Sequence, residues 1–459
     1  MSITSFKRST SAKMLVAFTA TAMSAWALPV SANLPSTDIS SNTDFARDRP
    51  QVARDSDGNY HLVYRKGDAG SRARDAAAGN IGYMMVAPNG DVLIDEVNLT
   101  VDRSANVDSV DVEVGSDDKV FVAFGHRNDR DLRMLVIDPS LAPQDGTAPA
   151  LGTITDVAEV TVVGDFRHPF IELDDADNVY VWSQNGFFAK YDSALAQLVA
   201  PVAPFNADYN GHSTSPIALD SDGNVHVVFQ DGDSNLNTVS YAMLDGTDGT
   251  VLIDATNLPG VLSTDQGDST DVGDAPHAVH YNVMVDSRDK VSVVWTDKRN
   301  TAVWDTYCNV CATGGMLVYA KLDPSLDDQD GSAADMSVIK VVDDVELGPY
   351  KYAQAYMGKN DSVNIFFGQR GGMSHIRVSG NGKATPAVLL ADSAVSFVGW
   401  NKAYPAAMAS DGRLFWPTID SADDGEGSKI VMGKVSLGGG GGGGSTAPAL
   451  LLLVMGAAA

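Results

Sequence analysis

The stretch "PIALDSDGNVHVVFQD", from Pro216 to Asp231, contains two short apolar runs on either side of a polar segment. The runs "PIAL" and "VHVVF" are rich in β-branched and other apolar residues. Between them, "DSDGN" offers the Asp, Gly and Asn that a tight turn requires. The stretch therefore predicts a β-hairpin of two antiparallel strands.

The hairpin pattern recurs along the whole chain. A third apolar run follows each copy, and in most copies a fourth run follows the third. Seven copies are present, beginning at Pro50, Val110, Pro169, Pro216, Tyr281, Tyr352 and Pro405. One small sheet buries its faces only against neighbouring sheets, so seven repeats of four strands predict an all-β fold, a seven-bladed β-propeller with four-stranded antiparallel blades.

The two ends of the repeat region complement each other. The seventh copy lacks a fourth run, because "KVSL" leads directly into Gly438. The segment 36–50 precedes the first hairpin where the outer strand of a preceding blade would stand. We therefore expect this N-terminal segment to close the ring as the outer strand of the last blade.

Some repeats match each other more closely than the rest. "VLIDEVNL" at Val92 matches "VLIDATNL" at Val251, and "DPSLAPQDGT" at Asp138 matches "DPSLDDQDGS" at Asp323. These pairs relate the first and second copies to the fourth and fifth. A partial internal duplication accounts for them.

The N-terminus has the features of an export signal. Lys7, Arg8 and Lys13 precede an apolar run from Met14 to Leu28, and small residues follow that run. This pattern predicts a secretory signal peptide over residues 1–32, since the run is too short for a membrane span.

The C-terminus begins at residue 438 with seven glycines and continues as "STAPALLLLVMGAAA". It resembles the glycine-glycine C-terminal sorting segment of Gram-negative bacteria, in which a Gly-rich stretch, a hydrophobic helix and a basic cluster direct cleavage and export to the surface. Here the apolar part is short and no Lys or Arg follows it. The resemblance implies a sorting tail over 438–459 and a secreted or cell-surface location, with a flexible linker as the alternative. Residues 33–437 are then the propeller.

The formal net charge is −27. Such a field repels polyanions, which argues against nucleic acid and anionic membranes as general partners. We expect a monomer without a permanent membrane span in the mature domain.

Both cysteines lie in one short segment, "TYCNVCATGG". In an exported chain this spacing predicts a local disulfide between Cys308 and Cys311. A redox site would require a helix N-terminus beside the pair. A structural zinc site would require two further ligands, for which His277 and His280 are available.

The polar residues of the hairpin turns are those that a tight turn itself requires. Asp and Asn side chains bond nearby backbone groups and tolerate left-handed geometry. We therefore predict no metal site and no cofactor, with calcium binding at these turns as the alternative.

Cations collect in the segments before the first strands and after the second strands. In a propeller these segments lie together on the face opposite the hairpin turns, and we call them the rim. Against an acidic background, clustered cations favour an anionic ligand. Aspartates such as Asp48, Asp165 and Asp297 share these segments, so salt bridges between blades are the alternative. The ligand-binding candidates are Arg47, Arg65, Arg127, Arg167, Arg299 and Arg370.

The repeated "P-x-I-A-x-D-x-D-G-N-x-H-V-V-F" is similar to the repeats of the sialidase-like and BNR-like propellers. That group includes sialidases, lectins and polysaccharide lyases, so the resemblance implies a carbohydrate ligand. The S-x-D-x-G-x-T-W boxes of true sialidases are absent from this sequence. The resemblance therefore implies the fold and no single activity.

A lyase site needs one neutralising Arg and one His or Tyr as base or acid. "FGHRND" and "FRHPF" place His beside Arg in neighbouring repeats. The catalytic candidates are His126, His168 and His212, with Tyr209 as an acid.

Three functions are consistent with this sequence. The first is recognition of an anionic ligand, an acidic carbohydrate, through the basic rim of an exported propeller. The second is a polysaccharide lyase or glycoside hydrolase with a His/Arg site on the same face. The third is a non-catalytic interaction scaffold.

Overall fold

The computed structural model describes nineteen segments of the chain, all outside the two predicted sorting signals. They are residues 36–38, 47–66, 80–99, 107–126, 131–141, 158–162, 166, 168–183, 185–205, 217–230, 239–258, 278–297, 316–326, 337–342, 353–369, 372–392, 407–408, 413–420 and 429–436. These segments are almost entirely β-strand, with short 3-10 turns at Pro139–Leu141, Pro324–Leu326 and Lys359–Asp361. Within them, no helix is long and apolar enough to cross a membrane.

The described strands pair into seven four-stranded antiparallel sheets, which we number in chain order. Sheet 1 contains β2 (Arg47–Arg54), β3 (Tyr60–Lys66), β4 (Asn80–Val86) and β5 (Val92–Asn98). Sheet 2 contains β6 (Val107–Val114), β7 (Val120–His126), β8 (Leu132–Ile137) and β9 (Ala158–Val162). Sheet 3 contains β10 (Pro169–Leu173), β11 (Val179–Ser183), β12 (Phe188–Tyr191) and β13 (Gln197–Val202). Sheet 4 contains β14 (Ile217–Leu219), β15 (Val225–Gln230), β16 (Val239–Leu244) and β17 (Val251–Asn257).

The remaining sheets follow the same order. Sheet 5 contains β18 (Ala278–Val285), β19 (Val291–Asp297), β20 (Met316–Leu322) and β21 (Ser337–Val342). Sheet 6 contains β22 (Ala353–Met357), β23 (Val363–Gln369), β24 (Gly372–Val378) and β25 (Val388–Asp392). Sheet 7 contains β26 (Ala407–Met408), β27 (Arg413–Asp420), β28 (Lys429–Ser436) and the N-terminal β1 (Ser36–Asp38).

The N-terminal strand occupies the place that the sequence predicts for it. β1 pairs antiparallel with β28, with Ser36 opposite Gly433 and Asp38 opposite Val431. It is therefore the outer strand of sheet 7, and this part of the prediction is confirmed.

Neighbouring sheets contact each other through their first strands. β2 contacts β6, β6 contacts β10, β10 contacts β14, β14 contacts β18 and β18 contacts β22. β2 also contacts β26 and β27 of sheet 7. Four-stranded antiparallel sheets arranged side by side in this way form a β-propeller, so the predicted fold class is confirmed at that level.

The hydrophobic core lies between adjacent sheets. One cluster joins sheets 1 and 2 and includes Val63, Tyr83 and Phe124, all fully buried. A second joins sheets 4 and 5 and includes Tyr241 and Trp295. Further clusters lie between sheets 2 and 3, 3 and 4, and 5 and 6. Sheets 1 to 6 thus bury many of their apolar side chains against their neighbours.

Four pairs of adjacent sheets are also joined by a polar clasp between their hairpin turns. In the first, Ser56 donates its N–H and its hydroxyl to the carboxylate of Asp118, at 2.8 and 2.7 Å. Asp118 has φ of 63°, a left-handed conformation that Asp tolerates. The clasps are Ser56–Asp118, Ser116–Asp177, Ser221–Asp289 and Ser287–Asp361.

The clasps join six of the seven sheets into two groups of three. They join sheets 1, 2 and 3, and they join sheets 4, 5 and 6. Between sheets 3 and 4 the clasp positions hold Asp175 and Gly223, so that pair cannot form. Lys190 instead donates to the carbonyl oxygen of Gly246 at 3.0 Å across this junction. The grouping agrees with the internal duplication that the sequence predicts.

Candidate functional site

The candidate site is the rim, and sheet 1 shows how the fold builds it. In the register of β2 and β3, Arg47 lies opposite Lys66 and Asp48 lies opposite Arg65. These residues stand at the end of the sheet away from the hairpin turn. Strand pairing therefore gathers three cations from two separate segments of the sequence.

Two of these cations are buried. Arg65 is 2% exposed and Lys66 is 7% exposed. The Lys66 amine forms an ion pair with the carboxylate of Glu96 on β5, whose side chain is 8% exposed. The Tyr64 hydroxyl donates to the other oxygen of the same carboxylate. Lys66 is thus neutralised within its own sheet, which is neither ligand binding nor the predicted salt bridge between blades, and ligand binding by Arg65 stays a prediction.

His168 stands at the start of sheet 3 with an uncommon backbone. Its φ is 48° and the residue is 4% exposed. A Cβ atom on Gly125 would lie 2.8 Å from the carbonyl oxygen of Phe166 and 3.6 Å from the amide nitrogen of His168. Only glycine allows so close an approach, so the segment around His168 packs onto the end of β7.

His126 follows Gly125 at the end of β7 and lies opposite Val107. Its backbone is therefore close to the segment that holds His168. The structure brings these two predicted histidines to adjacent ends of sheets 2 and 3.

The side chains of the other predicted site residues fall outside the described part of the chain. For Arg47 and His126 only the backbone is described. The residues with no described position are Arg127, Arg167, Tyr209, His212, Arg299, Arg370, Cys308 and Cys311. Their assignments stay predictions, as do the signal peptide and the sorting tail.

Sequence reasoning missed a set of polar contacts inside the sheets. In sheet 1, His61 Nδ1 lies 2.9 Å from the Tyr83 hydroxyl and His61 Nε2 lies 3.3 Å from Asp55 Oδ2. His61 is 1% exposed. The histidine of the hairpin motif is therefore a structural residue that links the turn to the third strand. The six-residue spacing from Asp to His, present in two copies, is the signal that could have revealed it.

Sheet 4 repeats this triad. His226 lies 2.8 Å from the Tyr241 hydroxyl through Nδ1 and 3.3 Å from Asp220 Oδ2 through Nε2. Burial alone would raise the pKa of Asp220, but hydrogen bonds from His226 and Asn224 outweigh it and lower the pKa to about 2. The carboxylate is therefore ionised at neutral pH.

Sheets 5 and 6 have other polar pairs at the corresponding positions of the hairpin turn, the second strand and the third strand. Lys321 donates to Asp286 at 2.6 Å, and Ser292 lies 3.1 Å from the Tyr319 hydroxyl. In sheet 6, burial and then the charge of Arg377 lower the pKa of His375 to about 4. His375 Nε2 lies 3.1 Å from the Asn364 amide oxygen. Asp286, Ser292 and Asn364 are buried, and Lys321 and His375 are half-buried, so these contacts lie within the sheets.

Among the described residues, no group of three His, Cys, Asp or Glu side chains is arranged to hold a metal ion. The carboxylates of the described hairpin turns accept hydrogen bonds from their own turn or from the turn of the preceding sheet. Calcium binding at these turns stays an untested alternative.

No family model matches the chain, and no curated protein sequence matches it. Among solved structures, it is similar to a protein of unknown function from Dyadobacter fermentans at 10% identity and a TM-score of 0.47, over 88% of this chain and 98% of that one. It is also similar to the polysaccharide lyase Uly1 at 9% identity and a TM-score of 0.46, over 85% and 90% of the two chains. The Dos1 propeller matches at 11% identity and a TM-score of 0.44, over 87% and 94%. All three scores lie below 0.5, so the β-propeller fold is established by the chain's own strand pairing.

Proposed function

We propose that this chain is a propeller that recognises an anionic ligand, an acidic carbohydrate, at its rim. The observation that carries the proposal is that strand pairing brings Arg47 and Arg65 together at the rim end of sheet 1, beside a lysine whose charge Glu96 already balances. Arg127, Arg167, Arg299 and Arg370 occupy the corresponding segments of other repeats in the sequence.

The face that carries the hairpin turns is acidic, which supports binding of an anion at the rim instead. The hairpin turns of sheets 1 to 4 each carry an exposed carboxylate, namely Asp57, Asp117, Asp175 and Asp222. Such a face repels a polyanion, whereas clustered cations attract one. An anionic polymer would therefore approach the rim.

Retention of the purified chain on immobilised polysaccharides tests the proposal. We expect retention on alginate and polygalacturonate, none on dextran, and release as salt is raised, because exposed charges are screened. Arg47→Ala should weaken retention. Lys359→Ala removes an exposed cation from a hairpin turn and should leave retention unchanged. Equal retention on dextran, or equal loss in both variants, would contradict recognition at the rim.

A second function, a polysaccharide lyase, is favoured by the backbone of His168. A buried residue other than glycine with φ of 48° is uncommon, and such conformations cluster at active sites. In this function the imidazole removes the proton next to a uronate carboxylate, and an arginine of the rim neutralises that carboxylate. The carbon–oxygen bond to the leaving sugar breaks as the double bond forms, and Tyr209 as the acid protonates the leaving oxygen.

The absorbance of unsaturated uronate products tests the lyase. His168→Asn is the informative variant, because Asn tolerates left-handed geometry but cannot act as the base. Loss of product formation with unchanged thermal stability would support catalysis by His168. Absence of product from the wild-type chain on every acidic polymer would exclude the lyase and leave binding.

We also infer that the seven sheets stand around one axis as seven blades of a closed ring. The contacts of β2 with β6 on one side and with β26 and β27 on the other support closure. An experimental structure in which another number of blades surrounds the axis would contradict this inference.

We propose further that the chain is exported and reaches the cell surface or the medium as a monomer. The signal over 1–32 and the tail over 438–459 support export. Fractionation of cells expressing the full chain, beside a chain without residues 2–28, tests the proposal. Retention of both chains in the cytoplasm would contradict it.

A further inference from the structure

We propose that the outer edges of sheets 1 and 4 bind an extended segment of another protein, in which cationic residues alternate with apolar residues. This surface is separate from the rim. It involves the fourth strand of each sheet, where the duplicated sequence motif lies.

Both edges are open among the described strands. β5 pairs with β4, and β17 pairs with β16. Each is the terminal strand of its sheet, with no further strand on its outer side in the described part of the chain. Such an edge offers unpaired N–H and C=O groups to an added strand.

A bulge aims apolar side chains outward from the edge of sheet 1. Val92 lies opposite Val86 and Ile94 lies opposite Met85, so Leu93 is an extra residue in the ladder. The extra residue interrupts the alternation of faces. Val92 and Leu93 are both exposed as a result, at 41% and 51%. A bulge of this kind re-aims side chains and is a specific structural feature.

Sheet 4 has the same bulge at the equivalent position. Val251 lies opposite Leu244 and Ile253 lies opposite Met243, which leaves Leu252 as the extra residue. Val251 and Leu252 are 37% and 38% exposed. The two halves of the duplication therefore present the same apolar pair.

The charged residues of the two strand pairs themselves, β4–β5 and β16–β17, are all acidic. Residues 80–99 contain no Lys or Arg, and neither do residues 239–258. Asp91 and Asp95 are exposed beside the first pair, and Asp248 and Asp254 are exposed beside the second. The acidic and apolar groups together fit a segment with cations on both sides of apolar side chains.

The same charges argue against a second copy of this chain. Pairing two such edges would bring Asp95 or Asp254 of one copy against a carboxylate of the other. Like charges directly opposite each other destabilise strand pairing. We therefore commit to a basic partner segment rather than to self-association.

Sheet 3 provides an internal control. Its outer strand has the same bulge, and Leu198 is 53% exposed. Its exposed neighbours are Gln197 and Ala200, however, which carry no charge. The proposal predicts no binding at this edge, because the acidic groups are missing.

Titration calorimetry with a capped eight-residue peptide of alternating lysine and valine tests the proposal on the full chain. We expect two peptides per chain, with binding weakened by salt. Leu93→Lys and Leu252→Lys should each reduce the number of sites from two to one, and the double variant should abolish binding. Leu198→Lys should leave both sites intact, and all three leucines are exposed, so little stability is at risk.

Three outcomes would overturn the proposal. A peptide of alternating glutamate and valine could bind equally well. Leu198→Lys could remove a site while Leu93→Lys does not. Sedimentation could show a dimer that Leu93→Lys dissociates, in which case the edge would be an interface between copies of the chain.

Discussion

The histidines of the repeated hairpin motif act inside the sheets and are not part of the rim. His61 and His226 each join an aspartate of the turn to a tyrosine of the third strand. The sequence correctly predicts that these histidines lie on a strand. It could not reveal their partners, because the tyrosine approaches only once the second and third strands pair in register.

Replacing His226 with alanine should destabilise the chain. The change removes one hydrogen bond from the Asp220 carboxylate, which keeps those from Asp222 and Asn224, and one from the Tyr241 hydroxyl, at a cost of about 0.5–1.5 kcal/mol for each bond. Urea unfolding at pH 7 measures the loss. Asn89→Ala, in an exposed turn of sheet 1, is the control and should change the free energy of unfolding by no more than about 0.5 kcal/mol. A loss of that small size for His226→Ala would mean that the triad is not a stabilising unit.

The stability of the chain should fall between neutral pH and pH 4 because of His375. Its pKa is about 4 in the folded chain, whereas an unfolded histidine has a pKa of about 6.5. The unfolded state therefore binds more protons as the pH falls through this window, so the free energy of unfolding decreases. Urea unfolding at pH 7.0 and pH 4.5 checks the sign. His375→Gln retains a polar group near Asn364 and should show a smaller decrease.

The buried ion pair between Lys66 and Glu96 at the rim should also stabilise the folded chain. Glu96→Gln removes the charge that balances Lys66, and breaking such a pair costs about 3–5 kcal/mol. Asp95→Asn is the matched control, since it makes the same chemical change at an exposed neighbour and should cost no more than about 0.5 kcal/mol. Equal values for the two variants would show that Lys66 finds another partner or reaches water.

At the scale of the elements, the hairpin turns join sheets as well as reverse the chain. Each clasp serine donates two hydrogen bonds to a carboxylate of the next sheet. The turn residues predict the hairpins, because Asp, Gly and Asn suit tight turns whatever surrounds them. The clasp depends on how two turns lie side by side, which one hairpin sequence does not contain.

Asp289→Gly should loosen the junction between sheets 4 and 5. Glycine accepts the φ of 56° without strain, so the variant removes only the two bonds from Ser221. We expect a loss of about 1–3 kcal/mol, from about 0.5–1.5 kcal/mol per hydrogen bond. Hydrogen exchange at this junction should accelerate, and Asp222→Ala, an exposed change in the adjoining turn, should not have this effect.

The outer strands show where sequence patterns reach their limit. "VLIDEVNL" reads as a strand, and β5 is one. A regular strand would place Val92 and Leu93 on opposite faces, whereas the bulge exposes both. The bulge is a property of the register between β4 and β5, so it emerges only when both strands are in place.

At the scale of the whole molecule, the repeat period was the feature of the sequence that best predicted the fold. The recurrence of one hairpin motif predicts a propeller because an isolated sheet cannot bury both faces. The position of β1 followed from a missing fourth strand at the other end of the chain. The rim was harder to predict, since its residues come from loops whose mutual positions no periodic pattern specifies.

Closure by β1 can be tested with one substitution. Thr37 lies opposite Met432 in the pairing of β1 with β28. Thr37→Pro removes a backbone donor and disfavours the strand, so we expect a lower Tm than for Thr37→Val, which favours β-structure. Equal Tm values for the two variants would show that β1 contributes nothing to closure.

The gap in the series of clasps has a consequence for cooperativity. Sheets 1 to 3 and sheets 4 to 6 are each held by two serine–aspartate clasps, and the junction between sheets 3 and 4 relies on Lys190 and apolar packing. Proteins open in contiguous units whose boundaries fall where few interactions cross. Sheets 1 to 3 and sheets 4 to 6 should therefore open as two separate foldons, with their boundary at the junction between sheets 3 and 4. Native-state hydrogen exchange would detect them as two groups of amides, each group with one common opening free energy.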